Sequence, residues 1–382
     1  MNFDLTESQV AIKHMVREFA EGEIAPRAQA LDETSEFPVD LVRQMGELGL
    51  MGLPFPEEYG GAGAETLSYI IAVEELARVD SSMAITVAAN VSLGGMPIYL
   101  FGSEAQKERF LTPLARGEAL GAFGLTEPGA GSDAGNSQTT AVETDAGWVI
   151  NGTKAFITNA GTPLSRFVTI TAVTNHDNMG RKEISNFVVP NGTPGYTQAK
   201  PYRKMGWHAS DTRELHFEHC LVPHENLVGQ RGRGYRQFLQ VLDGGRISVA
   251  AIGVGLAQGA LEMSLSYARQ RQAFGQPISK FQAIQHKLAD MATNVELARL
   301  MTYKAAWLKD QGRPFAYEAG IAKLFSSEIA MRAADEGVQI HGGLGYMDEA
   351  PISRFFRDAK ILAIGEGTSE VQRLVIARYL GC

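Results

Sequence analysis

In the stretch "ILAIGEGTSEVQR", residues 361–373, a glutamate stands between two glycines directly behind an apolar run. Apolar chain delivers Glu366, and neither neighbour carries a side chain, so both flanks of this carboxylate are cleared for something that must come close. A carboxylate that merely solvates a loop needs no such clearance. The same residues also read as the start of a helix, "GTSEVQRLVIARYL", with Thr368 or Ser369 as its cap and Glu366 as a favourable charge near the positive end of the helix dipole.

Two further stretches carry unusual glycines. "FGLTEPGAGSDAG", residues 123–135, imitates a dinucleotide fingerprint through Gly129, Gly131 and Ala134. That motif requires a strand before it and a helix and strand after it, and the required helical pattern is missing. What remains is a glycine-rich loop beside a strand, carrying Thr126, Ser132 and backbone N–H groups that could face an acceptor-rich ligand, or else an ordinary turn of a β domain. "LDGGRISVA" sets Gly244 and Gly245 inside a long helical pattern, at roughly 1 kcal/mol each relative to alanine.

Composition bounds what these residues can belong to. The chain has 382 residues, 45% hydrophobic and 20% charged, long enough for two or three domains with a large core. With 35 Lys and Arg against 43 Asp and Glu, the net charge of -8 argues against a nucleic-acid protein. Cys220 and Cys382 are too few and too far apart for a disulfide framework or a zinc site, so no metal is expected and a reducing compartment is. The N-terminal "MNFDLTESQ" lacks the basic and apolar regions of a signal peptide, which makes a cytoplasmic location the expectation. No apolar run approaches the ~20 residues of a membrane span, so no membrane insertion is expected.

The elements that must position the three stretches fall into an α, β, α order. Residues 1–118 read as helices: "TESQ" at Thr6 to Gln9 is a capping box, and Ile12, Met15, Val16 and Phe19 share one helical face. Residues 119–231 read as a middle β domain, with strands in "RFVTITAV", "ISNFVVP" and "RELHFEHCLVP" and a two-residue hairpin turn at Asn151-Gly152. Residues 232–382 return to long helices that pack as an antiparallel four-helix bundle. The fold class is α+β, with an antiparallel sheet between two helical domains.

At this point the motifs resemble a known family. "LTEPGAGSD", "FITNAG" from 156 and "QIHGGLGYMDEAPISRFFRD" from 339, the last matching through Arg354 and Asp358, together with "YARQRQAFGQPISKFQAIQ", identify the chain as a member of the acyl-CoA dehydrogenase family. The resemblance implies FAD held between the β domain and the C-terminal bundle. It implies that Phe123, Leu125, Thr126 and Ser132 line the flavin and that Phe156 and Thr158 flank its ring, although many relatives have Trp where Phe156 stands. Arg271, Phe274, Gln282, Gln339 and Gly343 then reach FAD across a subunit interface, and Thr368 and Glu370 complete the set. A homotetramer is implied with them.

The same resemblance implies that Glu366 abstracts the α-proton of an acyl-CoA while flavin N5 accepts the β-hydride, giving the 2-enoyl-CoA. Ser132, Asp243, Arg246 and Gly367 are the implied substrate contacts. Burial should raise the carboxylate from about 4.3 toward roughly 6 to 7, a better match for a base at neutral pH. The thioester carbonyl is implied to accept from the backbone N–H of the glutamate. Isovaleryl-CoA dehydrogenases put their base immediately before the arginine of "GGR", where this chain has Gly245, so Glu366 has no rival. Many relatives place Tyr before the glutamate, and Gly365 there, with Gly245, points to a short straight or branched acyl chain in fatty-acid or branched-chain amino-acid breakdown. Glutaryl-CoA dehydrogenases carry an arginine where Ala84 stands, which disfavours a dicarboxylyl substrate. Electron-transfer flavoprotein is the implied acceptor. The competing readings are an acyl-CoA oxidase that uses oxygen and a non-catalytic flavin-binding protein on the same fold.

Overall fold

The computed structural model describes residues 4–382, so the first three residues of "MNFDLTESQ" lie outside the described residues. The first region is helical: α1 (Glu7–Phe19), α2 (Ala25–Thr34), α3 (Val39–Glu47), α4 (Thr66–Val79), α5 (Ser81–Ala88), α6 (Met96–Phe101), α7 (Glu104–Gln106) and α8 (Thr112–Ala115). The capping box is present, with Thr6 accepting from the Gln9 N–H and the Gln9 side chain accepting from the Thr6 N–H. Val16 is fully buried, and Ile12, Met15 and Phe19 pack beside it.

Eight strands follow: β1 (Leu120–Gly124), β2 (Thr140–Thr144), β3 (Gly147–Thr158), β4 (Ser165–His176), β5 (Lys182–Pro190), β6 (Tyr196–Gln198), β7 (Thr212–Val222) and β8 (Leu227–Val228). They form one sheet in the order β6-β7-β3-β2-β4-β5-β8, with β1 beside β4. The sheet is antiparallel except where β4 meets β1 and β2, which run parallel to it. Asn151-Gly152 is not the hairpin turn. It lies inside β3 at a bulge, where a Cβ on Gly152 would meet Thr139 Oγ1 at 2.5 Å, while the chain turns at Asp145-Ala146. This glycine answers to a close backbone approach rather than to a turn.

The C-terminal region holds α9 (Gly234–Gln270), a short ribbon of β9 (Gln272–Ala273) and β10 (Gln276–Pro277), then α10 (Gln282–Asp310), α11 (Ala316–His341), α12 (Pro351–Leu362) and α13 (Ser369–Tyr379). The 37-residue α9 packs against α4, α10 and α11 and is the axis of the molecule. Against the expectation of no such run, two helical segments, Ser81–Phe101 and Gly234–Gln270, are long and apolar enough to span a bilayer. Of their apolar windows, 72% and 78% are buried inside the protein, so both are core helices.

Candidate active site

Glu366 lies in the turn between α12 and α13. The Gly365 N–H donates to Ile361 O at 2.8 Å and closes α12, and Thr368 caps α13 by accepting from the Val371 N–H at 3.2 Å. Between those anchors Glu366 and Gly367 both adopt left-handed backbone, with φ of 52° and 91°. A glutamate in that region is strained by roughly 1 to 3 kcal/mol and needs surroundings that hold it. Lys323 Nζ donates to Gly367 O at 2.6 Å, and Gln372 Nε2 donates to Gly367 O at 3.1 Å and to Glu366 O at 3.4 Å. Both side chains are fully buried.

The carboxylate is seated against α9. A Cβ on Gly245 would sit 2.2 Å from Glu366 Oε2, with Leu93 Cδ2 next at 3.5 Å, so the absent side chain at 245 is the volume the carboxylate fills. Oε2 is buried there with no hydrogen-bond partner. Burial raises Glu366 to about 7, against the pull of the nearby Lys323 and Arg246 cations. Burial likewise lowers Lys323 to about 8, against the pull of Glu366. Arg246 donates to Asp243 Oδ1 at 2.7 Å, and its buried Nε has no acceptor. Among the described residues the Glu366 backbone N–H has no acceptor either.

A raised carboxylate seated at Gly245 and an unpaired guanidinium nitrogen on Arg246 therefore stand at adjacent positions of α9, with an unpaired backbone N–H in the turn that carries the glutamate. Buried polar groups without partners are exceptions that call for an explanation. Gly367 requires its glycine through its positive φ. Gly365 does not, because a Cβ there meets only Ile361 O at 3.6 Å and the space beyond it is open.

The flavin-facing residues of the β domain form a second group. Phe123 stacks on Phe238 of α9 at 4.0 Å between ring centroids, and Leu125 and Thr126 follow it as β1 ends. Phe156, at φ 60°, is held with its ring 65% exposed, 5.3 Å from Tyr202. Thr158 closes β3 opposite Thr212, and Ser132 is exposed on the glycine-rich loop. That loop is tied down by a buried pair: Lys154 Nζ donates to Glu127 Oε1 at 2.7 Å and to Leu125 O at 3.3 Å. Burial alone would raise Glu127, but Lys154, the Ser137 hydroxyl and the Gln138 N–H bring it down to about 2.

Arg271, Phe274, Gln282, Gln339 and Gly343 are not at this site. All five are exposed, Phe274 by 96%, and they share the far end of the bundle, where Tyr267 of α9 stacks on His341 of α11. From Phe238, on which Phe123 stacks, to the end of α9 at Gln270 the helix rises by roughly 48 Å, so this group stands at the opposite end of α9 from Phe123. Glu370 is exposed on the first turn of α13, beside the Thr368 cap.

Three family models match the chain in sequence: the acyl-CoA dehydrogenase N-terminal domain over residues 6–118, the middle domain over 122–220 and the C-terminal domain over 232–381. The chain belongs to the acyl-CoA dehydrogenase family. It is 57% identical over 380 residues to the probable acyl-CoA dehydrogenase YngJ of Bacillus subtilis (strain 168), covering 100% of both chains. Butyryl-CoA dehydrogenase from Megasphaera elsdenii superimposes with a TM-score of 0.97 at 46% identity, again with 100% of both chains covered. A chain from structural work on the electron transferring flavoprotein of Acidaminococcus fermentans superimposes with a TM-score of 0.96 at 48% identity, covering 100% of this chain and 99% of that one. The dehydrogenase is a flavoprotein, and FAD is the cofactor of its family. The exposed Phe156 ring beside a braced, glycine-rich loop fits that group.

Sequence reading missed Lys323, Gln372, Lys154 and Phe238. One signal for Lys323 was available: it stands among Ala319, Ala322, Ser326 and Ser327, all buried on one face of α11. A lysine on a core face is almost never without a partner.

Proposed function

We propose that this dehydrogenase oxidises a short-chain acyl-CoA to its 2-enoyl-CoA, with Glu366 as the base that removes the α-proton. The observation that carries the proposal is the buried, unpartnered Glu366 Oε2, held at about 7 in the place of a side chain at Gly245. At that value the base is ionised in a useful fraction of molecules at neutral pH and still binds a proton strongly enough to take one from carbon. The free Glu366 N–H is the donor for the thioester carbonyl as enolate charge develops. Asp243, Arg246 and Ser132 of the glycine-rich loop orient the CoA arm, and Arg246 Nε offers the remaining donor. Bound FAD supplies the hydride acceptor, between Phe123, Leu125, Thr126, Ser132, Phe156 and Thr158 of one protomer and, in the same reading, Arg271, Phe274, Gln282, Gln339 and Gly343 of another, with Thr368 and Glu370 at the α13 terminus. The separation of the two groups along α9 supports an oligomer, and the family resemblance makes it a homotetramer.

Short straight chains are the leading substrates because the butyryl-CoA enzyme is similar over its whole length, and the open space beside Gly365 extends the reading to a single branch. Electron-transfer flavoprotein is the proposed acceptor, supported by the similarity to the Acidaminococcus chain. Anaerobic titration with butyryl-, isobutyryl-, 2-methylbutyryl- and octanoyl-CoA, followed by dye-coupled kcat/KM, tests the reading. It expects flavin bleaching by the four-carbon and five-carbon thioesters and a preference for them over octanoyl-CoA. Octanoyl-CoA as the best substrate would contradict it, and steady hydrogen peroxide release equal to turnover would make the protein an oxidase instead.

A further inference from the structure

We infer that Lys323 is a positioning residue for the reaction: from the core face of α11 it pins the left-handed Glu366-Gly367 turn and sets the ionisation of the base in front of it. The inference rests on the reading of Glu366 as the base. Its grounds are geometric. Lys323 is fully buried, and its ammonium donates a hydrogen bond of 2.6 Å to the carbonyl of Gly367. Gln372 donates to the same oxygen from α13. Two donors on one carbonyl, from two helices, fix the peptide plane that follows the glutamate. The Glu366 N–H on the other side of the turn is left without an acceptor.

Charge is the second part of the argument. A buried ammonium without a carboxylate in direct contact is costly, so its placement here needs an opposite charge within range. Glu366 is that charge: each group moves the other toward its ionised form. The remaining groups that face the site are Arg246, paired with Asp243, on α9, Tyr69 on α4 and Glu370 on α13. Arg246 is already neutralised at short range by Asp243. Lys323 is thus the cation without a carboxylate in direct contact, and Glu366 is the charge that acts on it most strongly, ahead of Glu370.

Two variants separate holding from charging. Lys323→Gln keeps a donor for Gly367 O and removes the charge, and Lys323→Met removes both at similar volume. The measurement is the rate of anaerobic flavin reduction by butyryl-CoA between pH 5.5 and 9.5, beside a binding titration. In the native enzyme the rate rises with pH through the Glu366 ionisation. Lys323→Gln is expected to move that limb upward by about one pH unit while keeping most of the plateau rate. Lys323→Met should show the same displacement and also lose roughly tenfold or more at the plateau, because the turn is no longer held. A limb that stays in place in both variants would overturn the inference, whether or not the rates fall, since a purely structural lysine lowers amplitude without moving the limb. If Glu366→Gln itself reduces flavin with the native limb, the reading of the base fails and the inference with it. If Glu366→Gln is inert and the Lys323 variants keep the native limb, only the inference fails.

Discussion

Glu366 and Gly245 share one volume: a methyl group on Gly245 would stand 2.2 Å from Oε2 of the glutamate. The contact joins the first third of α9 to a strained turn 121 positions later in the chain, and it explains a helical glycine that propensity alone disfavours. Gly245→Ala should therefore fold and keep FAD, because the displaced atom is the end of a flexible side chain. Its rate of flavin reduction by butyryl-CoA should fall about tenfold as the carboxylate leaves its seat. Stopped-flow reduction beside a melting curve checks both halves.

The same burial makes the base a liability for stability. Glu366 is raised from 4.5 to about 7, so the folded protein holds its proton more tightly than the unfolded chain does. The stability this group contributes is fully present below about pH 4.5 and is lost as pH rises through about 7. Glu366→Gln should then gain on the native protein by up to on the order of 3 kcal/mol between pH 4 and pH 8. Urea unfolding at the two pH values decides it.

Lys154 and Glu127 are both buried and in direct contact under the glycine-rich loop. Removing one member of such a pair strands the other charge, at about 3 to 5 kcal/mol. Lys154→Met should lower the melting temperature and release FAD on desalting. Full flavin content in this variant would show that the loop does not need the brace.

Arg271→Ala tests the cross-subunit reading of the exposed group at the far end of the bundle. Cofactor and association stabilise each other by mass action if one protomer reaches the other's FAD, so both should weaken together. Sedimentation and bound flavin, measured on one preparation, check this. An intact oligomer with full FAD would make Arg271 a surface charge.

Legibility followed the range of the interaction. The capping box at Thr6 and Gln9 is local chemistry and was readable, as was Thr368, which caps α13 as one reading of "GEGTSE" held. The cap that starts the helix also ends the turn that carries Glu366. Asn151-Gly152 misled because its glycine serves the approach of Thr139, thirteen positions away in the chain and adjacent only in the sheet. Lys323 and Gln372 could not be assigned to the turn, since their partners are carbonyls that only the packing of α11 and α13 brings within reach.

The most direct measurement is anaerobic flavin reduction in Glu366→Gln with butyryl-CoA. The variant should retain FAD and bind the thioester, yet reduce its flavin at least 10²- to 10⁴-fold more slowly than the native enzyme, the range lost with a general base. Reduction at a near-native rate would contradict Glu366 as the base.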